Sequence, residues 1–316
     1  MERNSRGRSI VFAAGWFAAP FARPYFRCCV DFNYALSHES YARRKEQMTE
    51  WSTAICETNG IKIHYTRTEG SKPPLILLHG LAANGACWTA LAHALEGEYD
   101  VIMPDARGHG KSSVPDYGYR YEDHANDVVG LIQALSPSPP ILLGHSMGGM
   151  TAAVVASRKP KVLRGLILAD PPFLSPQVQR EVRDSDVADQ HRRMLTMSLD
   201  EVVAEAQARH PHRSGETLEL FARSRLQTSM AAFDVLTPPN PDYKLLVSAI
   251  DVASLLVFGD KGVVSSVVAE ELQRLNPRLQ VEQIREAGHG VHVDQPERFA
   301  AVIKSFLHSI GTVIEP

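Results

Sequence analysis

The chain has 316 residues, of which 44% are hydrophobic and 22% are charged, and its formal net charge is −3. This composition is typical of a soluble globular protein, and the length is sufficient for one large α/β domain with an insertion. Its 33 lysines and arginines are scattered along the chain, which excludes a clustered basic surface for nucleic acid.

The cysteine pattern indicates a reducing compartment. The chain has four cysteines, and they show neither metal-ligand spacing nor the density of a disulfide framework. We therefore expect reduced thiols, no metal and a cytoplasmic protein. The cysteines are Cys28, Cys29, Cys56 and Cys87.

The first 47 residues differ from the rest of the chain. Three arginines precede an apolar run over residues 10–22, which Gly15 and Pro20 interrupt. This run is too short for a membrane span. A basic start and an apolar middle also fit a signal peptide, which would make the protein secreted or periplasmic, but no small-residue cleavage site follows. We interpret residues 1–47 as an extension outside the core, and we expect a chain without them to remain active.

The next segments alternate between two patterns. Residues 53–66 alternate polar and apolar side chains around Asn59-Gly60, which predicts a β-hairpin. Short apolar runs then cover residues 75–78, 101–103, 141–143, 166–169 and 255–258, as in strands buried on both faces. Helical patterns separate them over residues 88–95, 122–135, 147–158 and 266–275, and a last helix follows a capping box at Asp294 and Glu297. The alternation predicts a doubly wound, mostly parallel sheet.

The alternation stops between residues 171 and 248. This stretch lacks strand-like runs, and Ser198 with Glu201 forms a capping box at the start of a predicted helix. We interpret residues 171–248 as a helical cap over the strand ends, and residues 48–170 and 249–316 as the core.

A glycine-flanked serine follows the predicted strand 141–143. Ser146 lies in Gly144-His145-Ser146-Met147-Gly148, where small neighbours permit a sharp strand-to-helix turn that exposes the hydroxyl. The amides at the helix start favour developing negative charge. Ser146 is therefore the candidate nucleophile.

A serine nucleophile needs a base, and the base needs an acid that orients it. His289, between two glycines after the run 279–284, is the candidate base, and His292 is its rival. Asp260, at the end of the strand 255–258, is our first choice for the acid. Asp170, at the end of the strand 166–169, is the alternative.

Other strand ends supply candidate binding groups. The amides of Leu81 and Met147 would form an oxyanion hole, in which each donor contributes about 3 kcal/mol to the transition state. Gly80, Trp88, His145 and Phe173 are the candidate pocket residues. The stretch from Asp105 to Ser112 lacks the spacing of a phosphate loop, so we interpret it as a structural turn.

Taken together, these segments resemble the α/β-hydrolase family from about residue 51 to residue 310. The matching motifs are His79-Gly80, residues 105–112, the turn around Ser146, Gly259-Asp260 and Gly288-His289. The resemblance implies an eight-stranded sheet, a lid after the sixth strand, and Ser146, Asp260 and His289 as the triad. The family often places its acid where this chain has Gly262, which keeps Asp170 open.

The expected function is hydrolysis of a carboxylic ester, lactone or activated amide of a small to medium apolar compound, without a cofactor. A carbon–carbon bond hydrolase or a cofactor-free perhydrolase would use the same triad. A non-catalytic small-molecule receptor is the alternative of another class. We expect no membrane span and no nucleic acid, and we leave a homodimer open.

Overall fold

A single eight-stranded sheet runs through the computed structural model, which describes residues 51–68 and 71–311. Its spatial order is β1-β2-β4-β3-β5-β6-β7-β8. β2 pairs antiparallel with β1 and β4, and the remaining pairs are parallel. The sheet confirms the predicted fold class. The strands are β1 Ser52–Thr58, β2 Ile61–Arg67, β3 Pro74–Leu78, β4 Asp100–Pro104, β5 Ile141–His145, β6 Gly165–Ala169, β7 Ser254–Lys261 and β8 Leu279–Gly288.

Helices cover both faces of this sheet. β3, β4, β5 and β6 are buried along their whole length, because helices pack on both sides of them. No helix within the described ranges is both long and apolar enough to cross a membrane. The helices are α1 Thr89–Leu95, α2 Tyr121–Leu135, α3 Met147–Arg158, α4 Pro176–Arg183, α5 Val187–Met194, α6 Leu199–Arg209, α7 Gly215–Leu226, α8 Tyr243–Ala249, α9 Ser266–Leu275, α10 Val291–Asp294 and α11 Pro296–Gly311.

Five of these helices, α4 to α8, lie between β6 and β7. The capping box predicted at Ser198 is present, since Ser198 Oγ accepts the Glu201 amide and the Glu201 carboxylate accepts the Ser198 amide. A small apolar cluster around Met194, Val202 and Ala222 joins α5, α6 and α7 to one another. The segment after β6 therefore has its own apolar contacts and packs as a helical unit.

Two local predictions are corrected. The first helix is preceded by a 3-10 turn, Gly85–Trp88, so Trp88 ends that turn and does not open a helix. Asp294 belongs to α10 and does not cap α11, because its carboxylate accepts the Gly288 amide and pairs with Arg213.

Cys56 and Cys87 are buried free thiols. The predictions for residues 1–47, including Cys28 and Cys29, lie outside the described residues.

Candidate active site

Ser146 lies on a sharp turn between β5 and α3. Its backbone has φ 50° and ψ −120°, a conformation that few side chains adopt. A Cβ on Gly144 would meet the Gly148 carbonyl oxygen at 2.2 Å, and a Cβ on Gly148 would meet the Leu78 carbonyl oxygen at 2.4 Å. Both glycines are therefore required by the close approach of the backbone, as the sequence motif predicts.

Ser146, His289 and Asp170 form a chain of hydrogen bonds. His289 Nε2 lies 2.8 Å from Ser146 Oγ, and His289 Nδ1 lies 2.7 Å from Asp170 Oδ2. Because a carboxylate only accepts hydrogen bonds, Nδ1 carries the proton and donates it to Asp170. Nε2 is then the acceptor for the serine hydroxyl, which is the arrangement that removes a proton from an attacking serine.

The Asp170 carboxylate is held from two sides. It is fully buried, and its oxygens accept the Val263 and Val264 amides, each at 2.9 Å. These amides belong to the loop that follows β7. The aspartate at the end of β6 is thus fixed by the next strand's loop.

The first choice for the acid, Asp260, is corrected by this geometry. Asp260 lies within β7 and is exposed, and its carboxylate accepts the Ala287 amide at 3.1 Å. Hydrogen bonds from the Glu286 and Ala287 amides lower the pKa of Asp260. A Cβ on Gly262 would meet Asp170 Oδ1 at 2.7 Å, so the glycine at the family's usual acid position leaves room for Asp170.

His145 connects the serine turn to the histidine loop. Its Nε2 lies 2.8 Å from the carbonyl oxygen of His289. Burial lowers the pKa of His145 well below its usual value, with the neighbouring His292 and His289 adding to the shift. His145 is therefore neutral, and its Nε2–H donates to the His289 backbone. This contact fixes the backbone of His289, whereas the hydrogen bond to Asp170 fixes its ring.

Leu81 and Met147 line the same cavity as Ser146. Met147 is the first residue of α3, and amides in a first helical turn have no acceptor within the helix. A Cβ on Gly80 would lie 3.1 Å from Ser146 Cβ, so this glycine lets the loop after β3 approach the serine. The structure thus brings the predicted amide donors to the serine's side of the cavity.

Two buried histidines hold the loop after β3, a role that sequence reasoning missed. His79 Nε2 accepts the Ala106 amide at 2.9 Å, and its Nδ1 donates to the Gly80 carbonyl at 2.8 Å. Burial lowers the pKa of His79, which keeps the ring neutral, as this pattern requires. His109 accepts the Ala82 amide in the same way at 3.3 Å.

The stretch from Asp105 to Ser112 is the structural turn that we predicted. The Asp105 carboxylate accepts the Gly85 amide at 2.8 Å and the Lys111 amide at 2.9 Å. Arg107 forms two hydrogen bonds of 2.6 Å to the Asp127 carboxylate on α2. Both charges therefore tie the turn to its surroundings.

A cavity of 370 Å³ opens at Ser146 between the sheet and the helices that follow β6. Gly80, Trp88 and His145, which were the candidate pocket residues, line it. Phe173 is corrected: its ring is buried and stacks on Tyr243 at 5.0 Å, whereas its neighbours Pro172 and Leu174 line the cavity.

The ring of the rival histidine, His292, packs at a tilt against the rings of Trp88 and His145, each at a centroid distance of 4.5 Å. Burial lowers its pKa to about 3, so the ring is neutral. Within the described part of the chain, the buried atoms His292 Nδ1 and Trp88 Nε1 have no hydrogen-bond partner. Both residues line the cavity. Among residues 51–68 and 71–311, no group of three or more His, Cys, Asp or Glu could hold a metal ion.

Comparisons with known proteins agree with this fold. A model of the alpha/beta hydrolase fold matches residues 73–296. The chain is 28% identical over 253 residues to 2-(acetamidomethylene)succinate hydrolase of Mesorhizobium japonicum, and the match covers 76% of this chain and 90% of that protein. It is 30% identical over 266 residues to N-formylmaleamate deformylase of Pseudomonas putida, which covers 79% of this chain and 94% of that protein.

The solved structures include a similar fold. The crystal structure of E-2-(acetamidomethylene)succinate hydrolase has a TM-score of 0.71 to this chain at 26% identity, and the match covers 82% of this chain and 100% of that one. Together with the family match over residues 73–296, this similarity means that the chain belongs to the α/β-hydrolase fold family.

Proposed function

We propose that the protein is a serine hydrolase that cleaves a carboxylic ester, lactone or activated amide through an acyl-enzyme. The observation that carries the proposal is the unbroken hydrogen-bond chain from Ser146 Oγ through His289 to the buried Asp170. Three groups in this order turn a serine hydroxyl into a nucleophile, because the base accepts the proton and the acid stabilises the charged ring.

Each group then has one task. Ser146 Oγ attacks the carbonyl carbon while its proton passes to His289 Nε2, and the imidazolium that forms is stabilised by Asp170. The Leu81 and Met147 amides donate to the oxyanion of the tetrahedral intermediate. His289 gives its proton to the leaving alcohol or amine. Water, deprotonated by His289, then attacks the acyl group and releases the acid and the free serine.

The cavity supports an organic substrate of small to medium size. Its 370 Å³ lie within the range of small-molecule sites, and apolar side chains from α4, α5 and α7 form much of its wall. Val182, Val187 and Phe221 are examples. We propose that residues 171–248 act as a cap that selects the acyl or leaving group.

Amide cleavage has a specific argument in its favour. Two similar proteins are named as a hydrolase of an acetamidomethylene succinate and as a deformylase of N-formylmaleamate. A substrate panel for this chain should therefore contain acyl and formyl amides beside esters and lactones. Preference for the amides would place the chain with these two relatives.

A covalent probe and one variant test the proposal. We expect a fluorophosphonate to label the wild type at Ser146, as located by mass spectrometry of the labelled peptide, and we expect S146A to remain unlabelled. The wild type should hydrolyse short-chain nitrophenyl esters and S146A should not. If folded wild-type protein is neither labelled nor active on any member of the panel, the proposal fails.

A further inference from the structure

The helical wall of the cavity contains a buried cation. Arg225 lies on α7, is 5% exposed and lines the cavity that opens at Ser146. Glu181 and Asp186 also line this cavity, but both are exposed. Of the charges that the described residues place in this wall, the positive one is therefore inside and the negative ones lie toward solvent.

Two other arginines, Arg209 and Arg213, lie near Arg225. Burial, together with the neighbouring charges of Arg209 and Arg213, lowers the pKa of Arg225 to about 10. A pKa of about 10 still leaves the guanidinium fully charged near neutral pH. The buried histidines of this cavity, His145 and His292, have pKa values lowered by burial and are neutral. Arg225 is thus the group of this set that carries the positive charge.

A guanidinium with these surroundings is suited to a carboxylate. It offers five N–H donors in a planar fork, and it binds a carboxylate through two parallel hydrogen bonds. The apolar wall lowers the local dielectric constant, which strengthens the attraction. Neutral histidines cannot replace it in this role.

We infer that the substrate carries, besides the bond that is cleaved, a carboxylate group that Arg225 binds at the helical side of the cavity. This inference rests on the proposed function, since it names the substrate class of the same site. The scissile carbonyl lies at Ser146, and the carboxylate lies toward α7. The substrate is therefore a half-ester or half-amide of a short dicarboxylic acid or a close analogue.

Two nitrophenyl esters of equal chain length test it: nitrophenyl butyrate, which is neutral, and mono-nitrophenyl succinate, which carries a carboxylate. We expect wild type to prefer the anionic ester in kcat/KM. R225Q should lower the ratio of anionic to neutral kcat/KM at least about tenfold, because the carboxylate loses a charged partner, and R225K should be intermediate. Arg298 is exposed and lies outside the cavity wall, so R298Q is the matched control and should keep the wild-type ratio.

A wild-type measurement covers the case in which R225Q does not fold. Monomethyl succinate should protect Ser146 from the fluorophosphonate at a lower concentration than dimethyl succinate. Equal protection by the two, or equal ratios in R225Q and wild type, would overturn the inference. Since Ser146 labelling and butyrate hydrolysis would persist in that result, it differs from failure of the proposed function, in which both are absent.

Discussion

Ser146 and Asp170 share an unusual backbone. Both have positive φ, 50° and 42°, and such conformations cost about 1–3 kcal/mol in residues other than glycine. The surrounding hydrogen bonds hold them there: the Ser146 amide donates to the Ala169 carbonyl, and the Asp170 amide donates to the Val257 carbonyl. The two residues thus leave adjacent strands at the same edge of the sheet, and both aim their side chains at His289.

Replacing the acid tests the assignment of Asp170. We expect D170N to lower kcat about 10³–10⁴-fold on a nitrophenyl ester, because an amide can hold the wrong tautomer of His289 and cannot stabilise its charged form. D260N is the matched control, since Asp260 is exposed and lies at the end of the neighbouring strand. A larger loss in D260N than in D170N would contradict the assignment.

The sequence motifs single out the serine and the histidine, whereas they leave two candidates for the acid. Ser146 and His289 stand in glycine-flanked motifs, so their local pattern reveals their position. Asp170 and Asp260 both follow an apolar strand, and the difference between them depends on contacts with a loop 93 residues away. The sequence signal for Asp170 was Gly262, because a position without a side chain leaves space for the Asp170 carboxylate.

His124 gives the protein a predictable dependence of stability on pH. Burial and the nearby Arg107 lower its pKa to about 3, whereas a histidine in an unfolded chain has a pKa of about 6.5. Between these values the unfolded chain binds a proton that the folded chain does not, so the free energy of unfolding falls as the pH falls from about 6.5.

We expect H124L to reduce this loss by up to about 1.4 kcal/mol per pH unit. Leucine also removes a buried nitrogen, His124 Nε2, that has no partner among the described residues. Urea unfolding of wild type and variant at about pH 7.5 and about pH 5.5 measures the difference. The same loss in both proteins would show that His124 does not contribute.

At the scale of elements, strands were easier to predict than the parts between them. Continuous apolar runs mark β3 to β7 because helices bury both faces of those strands. Phe173 lies between β6 and the next helix, where no strand or helix pattern shows which way a side chain faces, so it was misplaced. The two histidine clamps on the loop after β3 depend on contacts to a loop 27 residues away, which no local pattern records.

The loop after β7 is expected to tolerate no side chain at Gly262. In G262A the new Cβ would meet Asp170 Oδ1 at 2.7 Å, so the carboxylate must move away from His289. We expect kcat to fall at least about tenfold, since the proposed catalysis depends on the Asp170–His289 contact within about 1 Å. G97A is the control, because a Cβ on Gly97 meets nothing within 4 Å. Equal activity of G262A and G97A would show that the Asp170 carboxylate can accommodate the added methyl group without losing its function.

At the scale of the whole molecule, the helical segment after β6 is tied to the histidine loop. Arg213, between α6 and α7, pairs with Asp294 at 2.6 Å, and Asp294 also accepts the Gly288 amide. Their side chains are 12% and 24% exposed, so the pair is partly shielded from water. The segment that lines the cavity and the loop that carries His289 therefore share one anchor.

Removing the Arg213–Asp294 ion pair should destabilise the contact between the helical segment and the histidine loop. We expect R213Q to lower the free energy of unfolding by about 1–2 kcal/mol, between the values typical of exposed and buried pairs. R193Q breaks an exposed pair with Glu205 and serves as the control, with no measurable change expected. Urea unfolding measures both, and equal midpoints for R213Q and R193Q would contradict the prediction.

The position of Asp170 also limits how this protein can be recombined with its relatives. The helical segment begins directly after Asp170 with Pro171 and Pro172, and the carbonyls of these prolines accept the Phe173 and Leu174 amides. A chimera joined at residue 171 would replace Pro171 and Pro172, which follow the aspartate directly. A junction after residue 174 would exchange the helices that follow β6 and keep the residues directly after Asp170. Such a chimera would test whether those helices select the substrate.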